Sequence, residues 1–140
     1  MKTVFADTVY WIAVAWPKDG LHEAAKAAKA ELGPVRLVTT DEVLTEFLAT
    51  FSKSTPILRR KAVDTVRAIM ANPNTRVIPQ SRNSFQKGID RYEARPDKDY
   101  SLQDCISMNV MESESIREVL THDHHFEQEG FTVLMKRNGL

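Results

Sequence analysis

Four acidic side chains in this sequence could share one chemical site, although long stretches of chain separate them. Asp7 follows a short β-rich run, and Asp123 follows a late one. Glu46 and Asp104 lie in segments with helical patterns. Carboxylates that crowd within a few ångströms raise one another's pKa values and destabilise the fold unless a cation neutralises them. Because oxygen donors suit Mg²⁺ or Mn²⁺ better than zinc, the four acids predict such an ion and, with it, phosphoryl transfer or hydrolysis.

The elements that must position these carboxylates alternate between strands and helices. The predicted strands, in chain order, are Thr3–Ala6, Val35–Val38, Arg76–Ile78, Ile116–Leu120 and Phe131–Met135. Strands that alternate with helices imply parallel pairing through right-handed crossovers. We therefore expect an α/β fold, a three-layer α/β/α sandwich around a five-stranded, mostly parallel sheet. Functional crevices in such sheets lie beyond the carboxyl ends of the strands, which is where Asp7 and Asp123 are expected.

Capping signals predict where three of the helices begin. Thr8 is the expected cap of the helix that follows the first strand. Thr39 with Glu42 has the spacing of a capping box, and so does Ser101 with Asp104.

These signals also give the acids a purely structural interpretation. Asp104 could merely complement a helix N-terminus, Asp123 could be an N-cap, and Glu46 could be a solvated helix residue. Asp7 is harder to explain in this way, because an acid at the end of a buried strand needs a partner and no Arg or Lys is evident near it. Spacing alone leaves both interpretations open.

Length and composition narrow the class of protein. The chain has 140 residues, 42% hydrophobic and 27% charged, which predicts a single globular domain over 1–140 rather than a disordered chain. Lys and Arg number 19, as do Asp and Glu, so binding to nucleic acid would need local basic patches or bound metal. The single Cys105 forms no intrachain disulfide, and the uncharged stretch 8–17 is too short to span a membrane. We expect a cytoplasmic protein with no membrane association.

Four segments resemble, in order, the acidic motifs of PIN domains. The opening strand and first acid are matched by VFADTVYWIA, and the second motif, with Glu46, by VTTDEVLTEFLATF. The third motif, with Asp104, is matched by RPDKDYSLQDCISMNVM, and the last, with Asp123, by VLTHDHHFEQEGFTVL. The separations agree along nearly the whole chain, which is most similar to small VapC-like proteins that consist of this domain alone.

The resemblance implies a metal-dependent endoribonuclease, often the toxin of a toxin–antitoxin pair. It implies an RNA substrate, a small antitoxin partner and a homodimer. The residues expected to hold Mg²⁺ or Mn²⁺ and to orient the attacking water are Asp7, Glu46, Asp104 and Asp123. Supporting positions are Thr8 and Thr121, which could hydrogen-bond to carboxylates or phosphate, Asp99, which could bind metal through water, and His124, which could contact RNA.

Other features admit a plainer interpretation. The histidines around Asp123 lack the spacing of a closed zinc site, so His122, His124 and His125 are interpreted as solvated turn residues. Aromatic residues at helical spacing near the start, Tyr10, Trp11 and Trp16, are expected in the core, with an antitoxin groove or subunit contact as the alternative. Two basic clusters either steer RNA or form ordinary solvated faces: Lys53, Arg59, Arg60, Lys61 and Arg67, and Lys87, Arg91 and Arg95.

Two other classes of function compete with the nuclease. A catalytically weak PIN-like module that binds RNA or a protein would fit the neutral net charge. A receiver-like or phosphatase-like domain would need a phosphoryl-accepting Asp paired with a lysine after a late strand, and we do not identify such a pair.

Overall fold

The core of the fold is a five-stranded sheet in which every pair of neighbouring strands is parallel. The computed structural model describes residues 1–136, so the predicted domain end at residue 140 lies outside the described residues. The strands run in the spatial order β3-β2-β1-β4-β5. Their bounds are β1 Lys2–Ala6, β2 Val35–Thr40, β3 Thr75–Ile78, β4 Glu118–Leu120 and β5 Thr132–Val133. The predicted α/β class and five-stranded parallel sheet are confirmed.

Helices occupy the intervals between the strands. In the described range they are α1 Thr8–Ala15, α2 His22–Leu32, α3 Asp41–Thr50, α4 Pro56–Ala71, α5 Arg82–Ala94, α6 Leu102–Ser113 and α7 His125–Gln128. Right-handed crossovers place α1 to α4 on one face of the sheet and α5 to α7 on the other. None of the helices between residues 1 and 136 has the length and apolar character needed to cross a bilayer.

Strand order reverses beside β1, and this reversal creates the crevice. The chain builds outward from β1 through β2 to β3, then returns to place β4 on the other side of β1. The loops after β1 and β4 therefore diverge to opposite faces and leave a gap at the carboxyl ends of these two strands. Both strands are buried on both faces, which explains their unbroken apolar runs: Val4, Phe5, Ala6, Val119 and Leu120 are all inaccessible to solvent.

The last two strands are shorter than predicted. Ile116 was expected to begin β4, but its backbone N–H bonds to the carbonyl of Met111 in the turn that closes α6. Only Val119 and Leu120 pair with β1, and β5 pairs with β4 over a similarly short stretch.

The predicted capping box at Thr39 is wrong by one residue. Thr40 is the cap of α3, since its hydroxyl accepts a bond from the backbone N–H of Val43 at 3.0 Å. Thr39 stays in β2, where its hydroxyl donates to the carbonyl of Ala6 at 2.9 Å and accepts from the indole Nε1 of Trp11 at 3.2 Å. Thr39 thus joins β2, β1 and α1 immediately before Asp7.

We predict that Thr39→Val lowers the free energy of unfolding by about 1–3 kcal/mol, because it leaves the buried indole N–H of Trp11 without its acceptor. Valine keeps the shape and the β-branched side chain, so packing is preserved. The control is Thr45→Val on the exposed face of α3, where a change within about 0.5 kcal/mol is expected. Urea unfolding measures both, and equal stability of Thr39→Val and wild type would refute the assignment.

Candidate functional site

Asp7 lies at the reversal of strand order, held between β1 and β4. Its backbone N–H bonds to the carbonyl of Leu120 at 3.2 Å, and its Oδ2 accepts a hydrogen bond from the hydroxyl of Thr121 at 2.9 Å. Asp7 itself occupies the cap position of α1, without a capping bond from its side chain, so the prediction that Thr8 caps this helix is wrong. The carboxylate is buried, with 5% of the residue exposed.

This environment makes the charge of Asp7 costly. Burial raises the pKa of the Asp7 carboxyl to about 7, against the opposing effects of the backbone amide of Thr8 and the hydroxyl of Thr121. The nearby carboxylates of Asp104 and Glu46 raise it further. The structure therefore brings these acids close enough for their charges to interact.

Asp104 is both a helix cap and a member of the cluster. The predicted capping box is confirmed: the hydroxyl of Ser101 accepts from the backbone N–H of Asp104 at 3.0 Å, and Oδ2 of Asp104 accepts from the N–H of Ser101 at 3.1 Å. The cap fixes the carboxylate without using all its lone pairs. Burial raises the pKa of Asp104, and the charge of Asp123 adds to this rise.

Asp123 reaches the same place through a tight turn after β4. Its N–H donates to the hydroxyl of Thr121 at 3.2 Å, and its Oδ1 accepts from the N–H of His125 at 2.9 Å. His124, not Asp123, occupies the cap position of α7. Thr121 thus connects the two acids, since it donates to Asp7 and accepts from Asp123.

His125 was wrongly interpreted as a solvated turn residue. Its Nδ1 lies 3.2 Å from Oδ2 of Asp104 and 3.3 Å from Oδ1 of Asp123, and its side chain is only 18% exposed. One ligand atom from each of these three residues lies within 4.8 Å of the other two. The signal available in the sequence was the spacing, because an Asp often bonds the backbone of the second residue after it and turns that residue back.

Glu46 approaches the cluster from α3. Its exposed carboxylate accepts a hydrogen bond from Nε2 of Gln103 at 3.4 Å, and the same nitrogen donates to the hydroxyl of Thr8 at 3.1 Å. Gln103 was missed, and only its position beside Asp104 could have pointed to it.

The remaining predicted positions, Asp99 and His124, make few contacts with the acidic cluster. Asp99 is exposed in the loop before α6 and makes none of the side-chain hydrogen bonds found in the described range. The side chain of His124 is 74% exposed, with its Nδ1 4.0 Å from Oδ1 of Asp123 and its ring centroid 4.9 Å from that of His125. The roles predicted for both residues stay predictions.

Two residues of the second basic cluster, for which RNA steering and a solvated face were both left open, are engaged in an internal ion pair network. Arg91 and Arg95 both bind Glu129, at 2.8 and 3.1 Å, and Arg91 also binds Glu112 at 2.9 Å. The buried Tyr100 donates to the same Glu129 at 2.9 Å. Although burial acts to raise it, these hydrogen bonds hold the pKa of Glu129 below its ordinary value. The network fastens α7, with His125 at its start, to α5 and α6.

The donor set fits a hard or borderline divalent cation. Within residues 1–136, none of the four predicted acids forms an ion pair with Lys or Arg. Carboxylate oxygens with one imidazole match Mg²⁺ or Mn²⁺ better than a closed zinc site. A cation here would offset the cost of ionising Asp7.

Comparisons with known proteins agree with this geometry. The family model of the PIN domain matches residues 4–131. The crystal structure of Mycobacterium tuberculosis VapC20, described as a toxin that cleaves the sarcin–ricin loop, is similar with a TM-score of 0.81 and 25% sequence identity. The similarity covers 92% of this chain and 96% of that one. No curated protein sequence matches the chain.

We predict that the metal-free protein loses stability as the pH rises from about 4 to about 7. In this window the folded protein keeps a proton on Asp7, whose ordinary pKa is 3.8, while the unfolded chain has lost it. Asp7→Asn removes this proton linkage and keeps an acceptor for Thr121. Denaturant unfolding in chelator at about pH 5 and about pH 8 should show a larger fall for wild type than for Asp7→Asn. Parallel pH profiles would contradict the raised pKa.

Proposed function

We propose that this chain, which belongs to the PIN domain family, is a divalent-metal-dependent endoribonuclease and acts as a VapC-like toxin. The proposal includes one PIN-like domain, an RNA substrate and a cytoplasmic site of action. The single observation that carries it is the buried carboxylate of Asp7, which lies among other acids without a Lys or Arg partner in the described range.

The proposed ligands of Mg²⁺ or Mn²⁺ are the four acids Asp7, Glu46, Asp104 and Asp123. When bound, the ion would polarise a phosphodiester and lower the pKa of a water molecule so that it attacks phosphorus. Thr121 holds Oδ2 of Asp7 and thereby sets the orientation of that carboxylate. Gln103 holds Glu46, the most exposed of the four, where its carboxylate can accept a proton from the attacking water. One P–O ester bond breaks as the new bond forms, and the leaving oxygen takes up a proton.

His125 gives the proposed metal site a preference for Mn²⁺ over Mg²⁺. Its Nδ1 lies between Asp104 and Asp123, and the ring is packed edge-on against Tyr100 at 5.3 Å between ring centroids. Imidazole nitrogen binds Mn²⁺ more readily than Mg²⁺, which prefers oxygen. We therefore include His125 among the ligands and expect Mn²⁺ to bind more tightly than Mg²⁺.

A small antitoxin and a second copy of the chain are the proposed protein partners. The aromatic prediction is right for Tyr10 and Trp11, which are buried, whereas Trp16 is partly exposed and packs on Phe51. Trp16 and Phe51 line an apolar groove with Phe47. This apolar groove is the reason for proposing that a protein partner binds there. The homodimer stays a prediction.

We predict that Asp7→Asn and Asp123→Asn each lower RNA cleavage by at least about 100-fold, because each removes a negative ligand of the ion. Chelator should abolish cleavage by the wild type. A stem-loop RNA with the sarcin–ricin sequence is the first substrate to assay, given the activity named for VapC20.

The matched control is Asp64→Asn, an exposed acid of α4, which should cleave at the wild-type rate. Full activity in both Asp7→Asn and Asp123→Asn would refute the nuclease. Tight RNA binding without cleavage by the wild type would favour the weak binding module.

We predict that His125→Asn reduces the affinity for Mn²⁺ by about tenfold and changes that for Mg²⁺ less. Electron spin echo spectroscopy of the Mn²⁺ complex should show a nitrogen hyperfine coupling in wild type and in the exposed control His124→Asn, and none in His125→Asn. A wild-type spectrum without nitrogen coupling would exclude His125 as a ligand and leave it a hydrogen-bonding role.

A further inference from the structure

A groove beside the carboxylates has no role in the reaction proposed above. It has a volume of about 670 Å³ and lies where the first turns of α3, α5 and α6 meet. Its walls include Glu42, Gln80, Arg82, Phe85, Leu102 and Gln103. The volume lies within the range of pockets that hold small ligands.

The groove is continuous with the acidic cluster through Gln103. The side-chain nitrogen of this residue donates to Thr8 and Glu46 on the cluster side, while the residue also lines the groove. Asp104, a proposed metal ligand, is the next residue along α6. An RNA whose phosphate lies at the carboxylates must place its neighbouring nucleotides on the adjoining surface, and this groove is part of that surface.

Phe85 lines the groove with a partly exposed aromatic ring. The residue is 41% exposed, and the guanidinium carbon of Arg82 lies 5.6 Å from the ring centroid. Nucleobases stack on aromatic rings whatever their sequence, and an arginine beside the ring adds a cation for the flanking phosphate. Arg82 and Phe85 together supply a local attraction for nucleic acid that the neutral net charge of the whole chain does not provide.

Two of the helices that line the groove, α5 and α6, approach each other closely. Gly88 faces α6, and a Cβ on Gly88 would lie 2.6 Å from Cγ1 of Ile106. Ile106 and Leu102 contribute apolar side chains to the lining of the groove, together with Phe85. On the polar edge, the backbone N–H of Gln80 is fixed by a 2.9 Å bond to the carboxylate of Asp41.

The negative charge of Glu42 at the groove favours a base over a phosphate at this position. Glu42 lines the groove, and its carboxylate repels phosphate but accepts hydrogen bonds from the exocyclic amino groups of bases. An unpaired base offers both a face for Phe85 and an edge for Glu42. A peptide partner would find a larger apolar surface in the separate groove at Trp16.

We propose that this groove binds one unpaired nucleobase of the RNA, next to the scissile phosphate and stacked on Phe85. The proposal rests on the nuclease function above and adds that the substrate carries a single-stranded or flipped-out nucleotide beside the cut.

Direct binding to a short single-stranded RNA tests the groove without turnover. Affinity is measured by fluorescence anisotropy in the Asp7→Asn background with chelator, so that neither cleavage nor metal contributes. Phe85→Leu should raise Kd by about tenfold, because leucine keeps apolar bulk but has no aromatic face. Phe85→Trp should keep the affinity. The matched control is Tyr92→Leu, which replaces another exposed aromatic residue of the same helix outside the groove.

An abasic scan of the RNA identifies the stacked base. One position should exist at which removal of the base weakens binding to the Phe85 protein and has no further effect in Phe85→Leu, because both changes remove the same contact. Unchanged affinity in Phe85→Leu, additive effects at every position, or no RNA binding would overturn the proposal. A change in oligomeric state by Phe85→Leu, with RNA affinity intact, would show a protein contact and also overturn it.

The outcomes separate this inference from the nuclease itself. RNA binding that depends on Phe85, in a wild-type protein that cleaves no RNA, would support base binding in the groove and refute the nuclease function. Cleavage that depends on Asp7, with Kd and KM unchanged in Phe85→Leu, would support the nuclease function and refute base binding in the groove.

Discussion

The burial of one ionisable carboxyl group organises this molecule. Asp7 lies between two central parallel strands, where water is excluded and the described range supplies no basic side chain to pair with it. Keeping it charged beside Asp104 and Glu46 has a free-energy cost that folding must offset elsewhere. A divalent ion would turn that cost into binding energy, since the crowded oxygens that destabilise the metal-free protein would then be available to coordinate the ion.

Three separate sets of bonds hold the acids of the cluster and His125 in place. Thr121 links the ends of β1 and β4 by bonding both Asp7 and Asp123. The capping box of α6 fixes Asp104, so the same pair of hydrogen bonds starts the helix and orients this carboxylate. The ion pairs of Glu129 fasten α7, which places His125 against the two acids. The rigidity of the site thus comes from bonds that belong to the fold.

Much of this arrangement could be predicted from the sequence, because it is encoded in local patterns. Alternating strands and helices gave the parallel sheet, and acids after strand ends lie at its carboxyl edge as expected. The prediction failed where partners distant in sequence decide. Thr39 and Thr40 are equivalent as local capping signals, and only partners distant in sequence distinguish them: the carbonyl of Ala6 and the indole of Trp11 both bond to Thr39. Likewise, no local pattern shows that Glu129 engages Arg91 and Arg95.

The hydrogen bond between Thr121 and Asp7 joins residues 114 positions apart, and this separation has a consequence for synthesis. A growing chain exposes β1 first, yet β4 cannot dock beside it until most of the protein has left the ribosome. Contacts of such high sequence separation form late in folding. An unfinished chain therefore holds Asp7 and Glu46 without Asp104 or Asp123, so the acidic cluster comes together only when synthesis is nearly complete.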